Sequence, residues 1–339
     1  MLLTGHTGFK GSWLSLWLAR LGAHVHGFAL APSEGRSLYA QARVDQLVEQ
    51  QLGDVRDADA VRRAFDACRP EVVIHMAAQP LVRRSLAEPA ETFEVNVQGT
   101  VNVLDAVRAS AGPATLVVTS DKVYALGRAR RAMREADALG GDDPYSASKA
   151  ATELAVGAYR EAFELPVVTA RAGNVLGGGD WSADRLLPDA ARAASAQSEL
   201  VVRNPEAVRP WQHVLGPLSG YLMICERLAR GLECDPALNL GPADGEMTVR
   251  EVLCVAAELW AGRLRVKEQP EAASREAPFL ALDSSRAREQ LGWLAPWQTR
   301  RGIEETVRWY RAHEDGEDAR VLCEAQIAAF CEAARGATG

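Results

Sequence analysis

Tyr145 and Lys149 stand four residues apart in "DDPYSASKAATE", just behind Pro144. Residues with that spacing share one face of a helix, and Asp143 followed by Pro144 supplies a cap and a first-turn residue that would start one. A free phenol ionises near pH 10, so presenting it as a base at pH 7 costs about 4 kcal/mol. A cation about 4 Å away, in a protein-like dielectric, offsets roughly that amount. The pair is the chemistry a phenolate base requires, although the same spacing arises by chance on solvated helices. Two neighbouring stretches weigh toward chemistry. "VVTSDKVY" puts Ser120, Asp121 and Lys122 at the end of an apolar run, and "TGHTGFKG" puts Gly5, Gly8 and Gly11 between an apolar run and a helical pattern.

The glycines are spaced GxxGxxG, not GxGxxG. Either spacing allows a tight turn, a backbone close enough to touch a pyrophosphate, and a helix N-terminus aimed at it. Only Met1, Leu2 and Leu3 precede the loop, whereas the first strand of such a sheet is usually central and longer, so a shortened start is the expectation here. No acidic residue ends the second strand, "VHGFALAP", to hold a ribose. Arg36 is the nearest cation that could meet a 2′-phosphate, with a solvated loop charge as its bland alternative. The choice between NAD and NADP therefore stays open at this level.

The elements that must carry these residues alternate. Helical patterns in "SWLSLWLARLG", "DADAVRRAFDAC" and "TFEVNVQGTVNVLDAVRAS" separate the strand-like runs "AHVHGFAL", "EVVIHMAA", "ATLVVTS" and "LPVVTARAGNV". That order predicts an α/β fold: a doubly wound parallel-sheet Rossmann domain with a smaller C-terminal substrate-binding domain. The expected division assigns residues 1–172, with 212–242 returning, to a dinucleotide-binding domain. Residues 173–211 and 243–335 form the second part, packed onto the sheet; "TVREVLCVAAELWAG" and "RRGIEETVRWYRAHEDG" are its clearest helices. A net charge of -7 and a pI near 5.5 argue against nucleic acid as a partner, which calls for a basic face. No apolar run reaches the ~20 residues of a membrane span and no leader pattern opens the chain. Six scattered cysteines, with no CxxC pair, read as reduced thiols, so a cytoplasmic protein without metal is expected.

Taken together, "TGHTGFKGSWL", "HMAAQPLVRRS", "TSDK", "DPYSASK", "ARAGNVLGGGDW", "DRLLPD", "RNPEAVRPWQHVLGPLSGYL" and "LGWLAPW" resemble the extended short-chain dehydrogenase/reductases over nearly the whole chain. Within that family the chain is most similar to the CDP-glucose 4,6-dehydratases. The resemblance implies NAD as cofactor and a nucleoside-diphosphate sugar, CDP-glucose, as substrate. It implies that Tyr145 is the base for the sugar 4-hydroxyl, that Lys149 holds the nicotinamide ribose, and that Ser120 hydrogen-bonds the 4-oxygen. Gly5, Thr7, Gly8, Phe9, Gly11, Asp54, Val55, Ala77, Ala78 and Gln79 would hold the dinucleotide. Asn174, Arg185, Arg209 and His213 would meet the nucleotide sugar, with packing as the alternative for the lone histidine, and Asn96 would tie loops beneath the site. The implied reaction moves hydride from sugar C4 to NAD+, loses water across C5 and C6, and returns the hydride to C6. Asp121 would protonate the departing 6-hydroxyl and Lys122, where relatives carry a glutamate, would take the C5 proton. A homodimer or homotetramer is the implied assembly.

The chain departs from the family pattern in "ALGRARRAMREADALGG", which lacks the usual tryptophan, and in "SREAPFLALDSS", which lacks histidines. A 4-epimerase or ketoreductase of the same fold is the nearest rival reading, and a non-catalytic dinucleotide-binding protein is the rival from another class. "TSDK" weighs against the first, since epimerisation has no use for an acid–base pair after the serine. Ser120, Tyr145 and Lys149 together weigh against the second.

Overall fold

The structure is a computed structural model that describes residues 1–32, 35–126, 130–269 and 277–337. Parts of both departing stretches, residues 127–129 and 274–276, lie outside the described residues.

Seven strands form one parallel sheet: β1 (Leu2–Thr4), β2 (His26–Ala29), β3 (Glu49–Leu52), β4 (Val72–His75), β5 (Ala114–Val118), β6 (Val167–Ala172) and β7 (Ala237–Leu240). Their spatial order is β7-β6-β5-β4-β1-β2-β3. Strands β5, β6 and β7 are buried along their whole length, as strands must be when helices cover both faces of a sheet. The first strand is three residues long and central, between β2 and β4. Strand β3 was not legible in the sequence. Its residues, EQQL, are mostly exposed, because an edge strand has no need of an apolar run.

The covering helices are α1 (Phe9–Arg20), α2 (Ala58–Cys68), α3 (Gly99–Ala109), α4 (Pro144–Phe163), α5 (Leu186–Ser195), α6 (Leu215–Ala229), α7 (Val249–Leu259), α8 (Thr299–Glu314) and α9 (Ala319–Ala337). The helix expected over "TFEVNVQGTVNVLDAVRAS" is broken by a π turn, Glu94–Gln98. Such a turn is frequent near functional sites, and here it carries the buried Asn96. Two-residue strands Val175–Leu176 and Gln212–His213 pair in parallel beyond the sheet, and Val208–Arg209 pairs antiparallel with Met247–Thr248. One continuous apolar core runs from Leu3 and Trp13 to Trp260 and Trp309, and the Trp13 indole donates to the Gly178 carbonyl at 3.0 Å. The second half is thus packed onto the sheet. Among the described residues no helix is long and apolar enough to cross a membrane.

The parallel register puts the carboxyl ends of the strands in one line. Thr4 lies beside His75, Val118 beside Ala170, and Leu240 beside Ala172. Residues just past these ends therefore meet, which is where open α/β sheets bind ligands.

Two histidines are sealed in this framework. His75 lies between the hydroxyls of Thr4 and Thr100, at 2.7 and 3.0 Å. His213 packs edge-on against Trp13 and Trp297. Burial holds both down to about 3, far below the usual imidazole value. Between pH 6.5 and 3 the unfolded chain therefore binds protons that the folded chain refuses, so stability falls as pH falls through that window. Each histidine should contribute a slope of up to about 1.4 kcal/mol per pH unit. Urea midpoints measured from pH 7 to pH 4 should fall less steeply in His213→Gln than in wild type. Parallel slopes would refute the account.

Candidate active site

The loop from Gly5 to Gly11 forms because only glycine fits it. Gly5 has φ +78°, and a side chain there would press within 2.8 Å of the Ala77 nitrogen. At Gly11 a Cβ would come 2.1 Å from the Gly5 carbonyl. Gly8 caps α1 without a side chain, so the first-turn N–H groups face outward as an anion site. They open on a cleft of about 430 Å³ whose walls include Thr7, Phe9, Arg36, Trp181 and Arg192. The Arg36 guanidinium lies 5.2 Å from the Trp181 ring centroid. A close-approach turn, free N–H groups and two arginines suit a dinucleotide pyrophosphate.

The other predicted dinucleotide residues divide. Ala77 and Ala78 follow β4 with partly exposed side chains, and the Ala77 N–H donates to Thr4 Oγ1 at 3.1 Å. Asp54, just past β3, is clasped by the Arg56 guanidinium at 2.6 Å, which holds its carboxyl below the usual range. Val55 buries its side chain in the apolar cluster under α3. Gln79 spends its amide on Leu81 and Thr92. These last two offer a ligand only backbone, a distinction that sequence spacing does not carry.

Past β5, Ser120 caps a single 3₁₀ turn, Asp121–Val123, and its Oγ accepts from Lys122 N at 3.2 Å. The Ser120 hydroxyl donates to Asp121 Oδ1 at 3.1 Å, and Lys122 Nζ sits 3.4 Å from the same oxygen. Asp121 is 1% exposed, and its second oxygen, Oδ2, has no partner among the described residues. A Cβ on Gly173 would come within 3.2 Å of that oxygen. The carboxylate thus keeps one lone-pair face open toward the loop after β6.

Helix α4 begins as the sequence predicts: Asp143 accepts from Ser146 N and Pro144 fills the first turn. Tyr145 and Lys149 are buried on the face turned to the β5 end. The Lys149 ammonium donates to the Val118 carbonyl at 3.1 Å. Burial raises the Tyr145 phenol above its usual value, against the pull of the Ser120 hydrogen bond and of Arg185. Burial also lowers Lys149 to about 8. Among the groups of the chain itself, desolvation outweighs the field at the phenol, while the Lys149 ammonium is anchored to a strand carbonyl.

Asn96 accepts from Gln79 N at 2.8 Å and donates to the Gln79 carbonyl and to Ser148 Oγ. It ties the loop after β4 to α4, as expected. Arg185, the N-cap residue of α5, lies within electrostatic range of Tyr145. Asn174 follows β6 with a buried Oδ1 that has no partner among the described residues. Arg209 is buried on its short strand and donates to the Val208 carbonyl at 2.8 Å. His213 belongs to the aromatic core and accepts from Leu215 N; this corrects its placement with the substrate residues. Sequence reasoning passed over Lys10, inside the glycine motif, whose ammonium donates to the Tyr221 hydroxyl at 2.7 Å. The signal that could have found it is a charge at a position facing the core.

Known proteins place this geometry. Residues 2–306 match the family described as GDP-mannose 4,6 dehydratase. The CDP-glucose 4,6-dehydratase of Salmonella typhimurium is 40% identical over 98% of this chain and 96% of that protein. A Thermotoga maritima UDP-glucose 4-epimerase shares the fold, with a TM-score of 0.83 at 21% identity over 92% of this chain and 99% of that one. A dTDP-glucose 4,6-dehydratase from Streptomyces venezuelae, solved with NAD bound, has a TM-score of 0.79 at 25% identity, covering 93% and 97%. The chain belongs to the GDP-mannose 4,6 dehydratase family of extended short-chain dehydrogenase/reductases.

Proposed function

We propose that this chain is an NAD-dependent 4,6-dehydratase that converts CDP-glucose to CDP-4-keto-6-deoxyglucose. One observation carries the reading beyond the fold. A buried carboxylate, Asp121, holds Ser120 and Lys122 on one oxygen and leaves the other without a partner among the described residues. Epimerisation at C4 needs no such acid, whereas loss of a 6-hydroxyl does. The similarity to a CDP-glucose enzyme supports the choice of sugar nucleotide.

Bound NAD would accept a hydride from C4 of the hexose and later return it to C6. The chain supplies the proton chemistry. Tyr145 takes the 4-hydroxyl proton, with Ser120 holding the 4-oxygen and Lys149 and Arg185 contributing the positive field a phenolate needs. A ketone at C4 acidifies the C5 proton. Lys122, as a neutral amine, removes it while Asp121 gives its own proton to the departing 6-hydroxyl. The resting ion pair, Asp121 carboxylate and Lys122 ammonium, becomes this acid and base when one proton crosses their 3.4 Å contact.

Gly5, Gly8 and Gly11 cradle the pyrophosphate, with Thr7, Phe9, Ala77 and Ala78 beside it. Asn174, Arg185 and Arg209 meet the nucleotide sugar. The division of labour follows the same cut: residues 1–172 with 212–242 for the cofactor, and 173–211 with 243–335 for the sugar nucleotide. The chain is assigned to the cytoplasm, where nucleotide sugars are made. A homodimer through α4 accounts for Leu154 and Phe163 lying 65% and 45% exposed on it.

Incubation with NAD and CDP-, dTDP-, UDP- and GDP-glucose should give the alkaline absorbance of a 4-keto sugar fastest with CDP-glucose, with solvent deuterium at C5. A product that keeps its 6-hydroxyl would sink the dehydratase reading. Tyr145→Phe should lower turnover by about 10²–10⁴-fold while NAD affinity, measured by calorimetry, stays within a few fold. Lys122→Met should still reduce NAD in a single turnover, seen at 340 nm, yet release no 4-keto-6-deoxy product; normal release would return Lys122 to a structural role. Leu154→Glu should halve the mass found by sedimentation, and an unchanged mass would remove α4 from the contact.

A further inference from the structure

Of the 38 lysine and arginine residues only four are lysines: Lys10, Lys122, Lys149 and Lys267. Lys267 is exposed on the strand Arg265–Glu268, beside Glu199. The other three converge on the site described above. A chain that draws almost every surface cation from arginine places its few lysines where a compact ammonium able to lose its proton has a use. Lys122 and Lys149 have such tasks in the dehydratase reading, on which this inference rests. Lys10 has none so far.

Lys10 is the second residue of α1. Its ammonium lies 5.0 Å from the Tyr221 ring centroid as well as 2.7 Å from the hydroxyl. Tyr221, on α6, is fully buried, so its hydroxyl depends on protein partners. The charged groups facing Lys10 come from three other elements. Lys149 on α4 and Arg185 at the start of α5 repel it, and Asp121 in the 3₁₀ turn after β5 attracts it. The Tyr145 phenol in turn lies within electrostatic range of Tyr221. A hydroxyl that accepts from an ammonium keeps its single hydrogen for another direction. With Lys10 on the α1 side, that direction is away from α1.

We propose that Lys10 is a positioning residue of the reaction centre, whose ammonium orients the Tyr221 hydroxyl as a donor toward the centre and whose deprotonation releases it. A neutral amine can accept from Tyr221 instead, which reverses the hydrogen bond. Burial, reinforced by Lys149 and Arg185, brings Lys10 down to about 7. The change therefore falls within the working pH range, with the orienting charge present below it and lost above.

The test has two independent arms. In protein labelled with ¹³C at lysine Cε only four signals arise, and the one missing from Lys10→Met should titrate near pH 7 in the substrate-free chain. A Lys10 signal that titrates with Lys267 overturns the proposal. In turnover of CDP-glucose with NAD, Lys10→Met should lower kcat by about ten- to a hundredfold, keep KM within threefold and abolish the alkaline limb that Lys10 sets. Lys10→Arg, which keeps the charge and cannot titrate, should restore kcat without the limb. Tyr221→Phe should match Lys10→Met, and it serves as the readout if Lys10→Met fails to fold. An unchanged kcat and pH profile in both variants defeats the Lys10 assignment alone. A wild-type chain that turns over no nucleotide sugar defeats the dehydratase reading itself, which is seen before any variant is compared.

Discussion

Charge removed from water must be answered by opposite charge or by hydrogen bonds. At the carboxyl edge of this sheet two buried carboxylates, Asp121 and Glu153, answer for a larger number of cations. Asp121 has Lys122 at 3.4 Å, and Lys149, Lys10 and Arg185 share the neighbourhood. Two negative charges cannot satisfy them all. Burial appears in the proton affinities: it brings Lys10, beside Lys149 and Arg185, down to about 7, and Lys149, against the pull of Glu153, down to about 8. The same desolvation lifts the Tyr145 phenol. Groups that hold protons at shifted values in a cleft are what acid–base chemistry near neutrality requires.

That arrangement survives because the framework around it is over-determined. Below the site Glu153 on α4 accepts from Arg171 at 2.7 Å, from Thr169 at 2.8 Å and from Thr119. Arg171 donates onward to Tyr124, which donates to Asn239 on β7. A buried ion pair adds little net stability when it replaces apolar packing, yet removing one partner is costly. The network therefore fixes position more than it adds stability. It locks α4 to the ends of β5, β6 and β7, and so fixes where Tyr145 and Lys149 stand relative to Asp121.

Much of this was written in residue types. The Gly5–Gly8–Gly11 loop, the Asp143–Pro144 helix start and the fully buried β5 and β6 follow from local rules: forbidden Cβ positions, capping and burial of both sheet faces. The exposed edge strand β3 escaped because it carries no apolar run, and helix α9 was passed over although Ala319, Cys323, Ile327 and Phe330 recur at helical spacing. The π turn at Glu94–Gln98 escaped too, since its reason is the reach of Asn96 to a loop distant in sequence.

The sequence by itself determined that a tyrosine, a lysine, an acid and a glycine loop would meet at one edge of a parallel sheet, because strand and helix periods are local properties. Only the tertiary structure decided what each group does there. It sent His213 into an aromatic core between Trp13 and Trp297, bound the Lys149 ammonium to a backbone carbonyl, and brought Lys10 to the centre through Tyr221. Desolvation and the summed field of distant charges set proton affinity, and neither exists until the chain has closed around them.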